Sequence, residues 1–261
     1  MVPLRRIVEL SVLAVGVIAA VLTVYLAAPL LRNLAILAIV VWVVVAIIAD
    51  LRLRPSLKVD FTGTVSDFDE AWHFGNSVYG TIIKKHYPAK EVVREWWKKY
   101  PHGVIRLLDR RKHLLVAYLS IWPISYEVFQ QLTTGGMAED DLKERHIEPA
   151  NRQPYEYWYI ADVCKKRPRG NRDKYPSDLE YQLIKDGFRL LAKENAFADP
   201  FMLIAFGESG PGKRLAKRVN FTNVQPTAKQ TVVGSIWTRT LDKQAIPGLL
   251  KELERPRDSR P

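Results

Sequence analysis

Two apolar runs within the first fifty residues constrain this chain more than any other feature. Ile7 to Ala28 is almost uninterrupted, with Glu9 near its start, and residues 33 to 49 read NLAILAIVVWVVVAIIA. A helix needs about 20 apolar residues, with a range of ~17–25, to cross the hydrocarbon core of a bilayer. Both runs reach that length, and Pro29-Leu30-Leu31-Arg32 leaves room only for a tight helical hairpin. A cleaved secretory signal would have one apolar core of ~7–15 residues followed by a small-residue site. Ala27-Ala28 could serve as such a site, but the second run follows at once. A buried soluble hairpin would need apolar cover that the remaining sequence does not supply. The expectation is a membrane anchor over residues 1–55, with spans at about 7–28 and 33–49. Arg5 and Arg6 precede the first run, Arg52, Arg54 and Lys58 follow the second, and the turn carries only Arg32. The positive-inside rule then puts both termini and the following domain in the cytoplasm.

The formal charge is +11. That balance suits anionic headgroups, phosphate-bearing ligands or nucleic acid. No nucleic-acid-binding motif appears, so membrane lipids are the expected macromolecular neighbour and nucleic acid is not. Cys164 is alone, which excludes an internal disulfide and a cysteine metal cluster. Histidines 73, 86, 102, 113 and 146 have no ligand spacing, so no metal is expected.

After a basic tether at Leu51 to Pro55, the pattern predicts a strand near 59–65 and helices near 67–79 and 89–99. A hairpin of strands follows, 104–109 and 114–122, closed by Pro123, and a short helix covers 125–132. A long strand at 155–164 comes next, followed by a basic loop at 165–175 and a helix over 177–195. An interior strand at 201–206, a short basic helix at 210–218 and two last strands near 221–224 and 230–239 complete it. The expected fold is a single α/β or α+β domain on a mixed sheet over residues 56–245, with a charged tail at 246–261.

Tyr155 to Asn195 is the most informative stretch. Aromatic and β-branched residues give a strand, a cationic loop containing Pro168 and Gly170 follows, and Pro176-Ser177-Asp178 suits a helix N-terminus. Strand, cationic loop and helix N-terminus can together hold a phosphate. Arg167, Arg169, Gly170, Asn171 and Arg172 are the candidate cradle, since arginine offers forked donors and glycine allows close backbone approach. The alternative is a solvated basic loop that touches lipid or nothing. Strict alternation would put Glu156, Trp158, Ile160, Asp162 and Cys164 on one face of the strand. Glu156 sits among Tyr155, Tyr157 and Trp158, where partial desolvation would raise its pKa towards that of a base. Glu156 and Asp162 are therefore the candidate bases, against the plainer reading of carboxylates paired with Lys or Arg. Cys164 beside Lys165 and Lys166 could be a thiolate, but a lone strand cysteine is more often a small buried hydrophobe.

The order of elements resembles the GNAT (general N-acetyltransferase) superfamily over about residues 59–240. Arg167-Pro168-Arg169-Gly170 is similar to the family's Gln/Arg-x-x-Gly-x-Gly/Ala pyrophosphate loop, and Ser177 to Asn195 stands where its following helix does. The resemblance implies transfer of an acyl group from acetyl-CoA or another acyl-CoA to an amine. It implies that the main chain at Val163 and Cys164 holds the pantetheine arm. Ser177 would meet the pyrophosphate, and Ser209 after Glu208 would lie near the cofactor arm, although Ser209 equally suits a helix cap. The loop departs from the pattern at its second glycine, which is Arg172 here. The position of the family's tyrosine acid, counted back from Phe221, is Ala216. The leading expectation is a membrane-tethered, cytoplasm-facing N-acyltransferase. The alternative is an anchored binding or adaptor module that keeps the fold with a degenerate cradle.

Overall fold

The computed structural model describes residues 15–20, 33, 36–45, 56–83, 88–166, 175, 178–207, 210–225 and 235–248. The chain divides into two compact units, Met1–Arg54 and Pro55–Pro261. In the first, residues 15–20 and 36–45 are helical. Among the described residues no helix is long and apolar enough to cross a membrane; most of the first expected span and positions towards both ends of the second lie outside them. Described apolar side chains on both segments are exposed within this unit, among them Val15, Ile18, Leu37, Val41 and Trp42.

The second unit is a seven-stranded sheet in the order β1-β2-β3-β4-β5-β7-β6. Its strands are β1 (Leu57–Phe61), β2 (Val104–Asp109), β3 (Leu114–Ile124), β4 (Tyr155–Lys165), β5 (Phe197–Gly207), β6 (Thr222–Val224) and β7 (Ser235–Leu241). The helices are α1 (Val65–Ile83), α2 (Lys90–Lys99), α3 (Tyr126–Thr134), α4 (Leu179–Lys193) and α5 (Gly210–Arg218). Every neighbouring pair is antiparallel except β4–β5, which is parallel. The mixed α/β class and the order of elements are those the resemblance implies. Several boundaries differ, among them β1, which lies at 57–61 where the pattern suggested 59–65. β3 runs through Pro123, which pairs with Trp158. β5 begins at Phe197, ahead of Pro200, and α1 is longer than the pattern suggested at both ends.

The sheet is covered on both faces. β3 lies in its middle, and every residue from Leu115 to Ile124 is buried, as expected of a strand sandwiched by helices. On one face sit α1 and α2. Trp96 of α2 meets Trp122 and Tyr159 edge-on, and Phe74 of α1 meets Tyr118. On the other face lies α4, where Gly187 brings the helix against Ile105 and Leu119; an added Cβ would come within 3.3 Å of both. Arg218 of α5 stacks 3.7 Å from the Tyr181 ring of α4, tying the two helices together.

The start of α1 shows how local sequence fixes an element. Thr64 Oγ1 accepts from the Asp67 amide, while the Asp67 carboxylate accepts from the Gly63 and Thr64 amides. This reciprocal cap satisfies N–H groups that the first turn leaves open. Asp67 also receives Arg106, a sheet residue whose side chain is only 9% exposed. Burial opposes the Asp67 charge, but Thr64, Arg106 and the Gly63 amide outweigh it and hold the carboxyl below its usual range. Its folded value is thus the depressed one, so the stability it contributes is complete above the ordinary value of 3.8 and fades as pH falls through the folded value. Asp67→Asn should cost about 2 kcal/mol near neutrality. The difference from wild type should shrink below about pH 4 in denaturant titrations, and a constant difference across that range would refute this role.

Candidate active site

The central feature is a fork between the two parallel strands. β4 and β5 pair from Tyr155↔Phe197 to Ile160↔Ala205, and there the ladder stops. β4 nevertheless continues to Lys165 against β3, and β5 continues to Gly207 against β7. The cause is visible in the register on the other side of β4. Ile121 opposes Ile160 and Ser120 opposes Asp162, so Ala161 is an extra residue without a counterpart on β3. An extra residue bends its strand and increases the local twist, which re-aims everything beyond it.

That extra residue also overturns the single-face expectation for β4. Ser120 and Ile121 are neighbours and so point to opposite faces, and their partners Asp162 and Ile160 follow them. Asp162 and Cys164 therefore lie on the α1–α2 face, while Glu156, Trp158 and Ile160 keep the other parity. Asp162 accepts a hydrogen bond from the Tyr118 hydroxyl. Tyr118 is itself held close under α1, where an added Cβ at Gly75 would collide with its hydroxyl. Asp162 is thus half-buried, one residue beyond the bulge, with its carboxylate oriented by a core tyrosine.

Glu156 has a different setting. It is exposed, contrary to the expected desolvation, and lies four residues before the end of the ladder. At about 3.3 Å per residue that is ~13 Å along the strand from the fork. Its charge acts on Tyr157, whose phenol is raised, first by burial and then by Glu156. Cys164 is buried opposite Tyr118 at the end of the strand, as a small core residue. Val163 follows Asp162 on the segment beyond the fork, opposite Leu119.

At the mouth of the fork, Lys165 ends β4 and forms an ion pair with Glu180 in the first turn of α4, placing that helix start beside the strand end. Tyr175 closes the basic loop, donating to the buried Asp109 carboxylate at 3.0 Å, with Lys112 and Lys166 ammoniums 5.1 and 5.8 Å from its ring. Arg167, Arg169, Gly170, Asn171, Arg172, Ser177 and Ser209 lie outside the described residues. Ala216 is buried on the inner face of α5. Among the described residues no group of His, Cys, Asp and Glu could hold a metal. Sequence reading missed Tyr118 and the bulge; a tyrosine in an apolar strand carries no signal of the carboxylate it will meet.

No protein-family model matches the chain, and no curated protein matches it. Solved structures similar to it include the C-terminal condensation domain of Ebony in complex with beta-alanyl-dopamine, at 7% identity and TM-score 0.47, covering 72% of this chain and 100% of that one. Another is mosquito arylalkylamine N-acetyltransferase like 5b, at 10% identity and TM-score 0.46, covering 71% and 100%. A third is a GNAT-family acetyltransferase from Listeria monocytogenes, at 12% identity and TM-score 0.42, covering 72% and 99%.

The Tyr118–Asp162 contact should be energetically coupled. Tyr118→Phe leaves a half-buried carboxylate short of a donor, a loss of about 1–3 kcal/mol. In a double-mutant cycle with Asp162→Asn by urea unfolding, a coupling of at least about 0.5 kcal/mol is expected. Simple additivity would mean that the two groups do not support one another.

Proposed function

We propose that this protein is a membrane-tethered N-acyltransferase that uses acyl-CoA as co-substrate and an amine as acceptor. The observation that carries the reading is the fork: two parallel strands that part at the Ala161 bulge, beside a cationic loop and a helix start. Small residues, Ala161 and Ala205, stand at the base of the fork, which favours the passage of an extended arm between the strands.

When bound, acyl-CoA supplies an acyl group activated as a thioester. Arg167, Arg169, Gly170, Asn171, Arg172 and Ser177 would hold its pyrophosphate, the main chain at Val163 and Cys164 its arm, and Ser209 would flank it. The basic loop leads into α4, on one face of the sheet, and Asp162 stands on the other. An arm entering from the α4 side and passing between the strands presents its reactive end on the Asp162 side. Asp162, oriented by Tyr118, would receive the proton of the attacking amine, a role for which exposed Glu156 is less well placed. The chain otherwise contributes positioning and backbone N–H groups at the developing oxyanion.

The two apolar runs support an anchor in the bilayer, with the second unit on the cytoplasmic side and lipid headgroups as neighbours of its basic surface. The described part of the second run, residues 36–45, is apolar on all sides and largely exposed within its unit, as a lipid-facing helix would be. One observation favours the adaptor reading: Ala216 is buried where the resemblance would place an acidic tyrosine, so no acid comes from that position.

Calorimetric titration of acetyl-CoA and palmitoyl-CoA into the full chain in detergent tests the reading. Saturable binding is expected, weakened at least tenfold in an Arg167→Ala/Arg169→Ala double variant because each lost charge-assisted contact costs about 1.5–3 kcal/mol. Heat equal to dilution for both ligands would move the protein to the adaptor class. Deleting Ala161 offers a second check. It removes the extra residue without changing which β3 residues Ile160 and Asp162 oppose, so the β4–β5 ladder can extend through the fork. The deletion should abolish acyl-CoA binding while thermal stability holds; undiminished binding would show that the bulge does not make the site.

A further inference from the structure

Trp237 of β7 carries a buried polar group that the fold does not use. The residue is 5% exposed, and its indole Nε1 has no hydrogen-bond partner among the described residues. A buried donor left unmet is costly, and most buried donors in folded proteins have an acceptor. Trp96 has a similar unmatched Nε1, but it sits edge-on to the Trp122 and Tyr159 rings, whose π faces can receive an N–H. Trp237 has no ring neighbour of that kind among the described residues.

Its position is what gives the donor meaning. Trp237 opposes Ala205 across the β5–β7 ladder, and Ala205 opposes Ile160 in the last pair of the β4–β5 ladder. The three side chains therefore share the α4 face, at the base of the fork. From there the indole leans along β5 over Gly207, the last residue of that strand. A Cβ at Gly207 would come 2.7 Å from Nε1, 3.0 Å from Cδ1 and 3.4 Å from Lys213 Cγ of α5. Only a residue without a side chain admits the indole there. The N–H is thereby held beside the stretch where β4 and β5 have already parted.

We infer that Trp237 Nε1–H is a ligand-binding donor that takes an amide carbonyl of the pantetheine arm in the fork. The inference rests on the acyl-CoA reading above. A neutral donor in an apolar recess suits an amide carbonyl better than a phosphate, whose cations lie at the basic loop. The donor also fixes the depth to which the arm enters, because its amides stand at set distances from the thioester.

The test uses the full chain in detergent micelles with indole-15N tryptophan, which gives one resonance for each of the seven tryptophans. Trp237→Phe keeps an aromatic side chain and removes the N–H donor; the resonance it deletes is that of Trp237. In wild type, acetyl-CoA should shift that resonance downfield. Trp237→Phe should bind CoA and acetyl-CoA about tenfold more weakly. It should bind 3′-phosphoadenosine 5′-phosphate, which lacks the arm, as wild type does. Gly207→Ala crowds Nε1 from outside and should weaken CoA severalfold, which keeps the idea testable if the first variant does not fold. An unmoved Trp237 resonance on saturation, undiminished CoA binding by the variants, or an equal loss for the arm-less nucleotide would each overturn the assignment alone. Wild type that binds no acetyl-CoA would overturn the acyl-CoA reading and this assignment with it.

Discussion

One extra residue in a central strand coincides with the point where this sheet opens. If β4 had the same number of residues as its partner segment of β3, its ladder to β5 could continue and the sheet would be closed along its length. Ala161 breaks the count, bends β4 and leaves β5 bound to β7, so the sheet opens between its two parallel strands. The remaining features of the site are arranged around that opening. Lys165 joins the strand end to the first turn of α4, and Tyr175 ties the end of the basic loop to Asp109 at the β2–β3 turn. Gly207 lets an indole lie over the end of β5.

The opening is affordable because the sheet is held elsewhere. β3 is buried along ten consecutive residues, and helices on both faces clamp it, through Trp96 on one side and Gly187 on the other. Arg106 adds a polar anchor, since its nearly buried guanidinium reaches Asp67 and Glu70 on α1 and so locks that helix onto the sheet. Interior hydrophobic area at about 25 cal/mol per Å² is the dominant favourable term in such an arrangement. A local gap in one ladder costs a few hydrogen bonds, which is small beside the burial contributed by the tryptophans, tyrosines and phenylalanines on either side.

Most elements were legible because their signals are local. β2 occupies residues 104–109 and α5 residues 210–218 as the pattern predicts, the first bounded by a Pro-His-Gly turn and the second opened by Gly-Pro-Gly. Boundaries failed where a local rule met tertiary structure. Pro123 looked like a terminator, but β2 pairs no further than Ser120, and the Pro123 carbonyl faces that side, where it accepts from the Glu148 amide, so the ladder to β4 loses no donor. The bulge was not legible at all. Ala161 is neither glycine nor proline, its neighbours are strand formers, and the mismatch exists only relative to β3. Alternation counted through it therefore put Asp162 on the wrong face, and the residue that matters to Asp162, Tyr118, lies 44 positions earlier.

The two carboxylates of β4 show why composition could not rank them. Glu156 is surrounded in sequence by aromatic residues, yet it ends exposed because its parity and its place near the start of the strand leave it uncovered. Asp162 has plainer neighbours, but the bulge turns it under α1, where a phenol from β3 meets it. For proton transfer, a carboxylate must be within hydrogen-bond reach of the reacting nitrogen before its basicity counts. Of the two, Asp162 stands one residue beyond the bulge, and Glu156 lies four residues before the end of the ladder. Ala216 shows the same dependence on context, since its place on the inner face of α5 gives that position to the core.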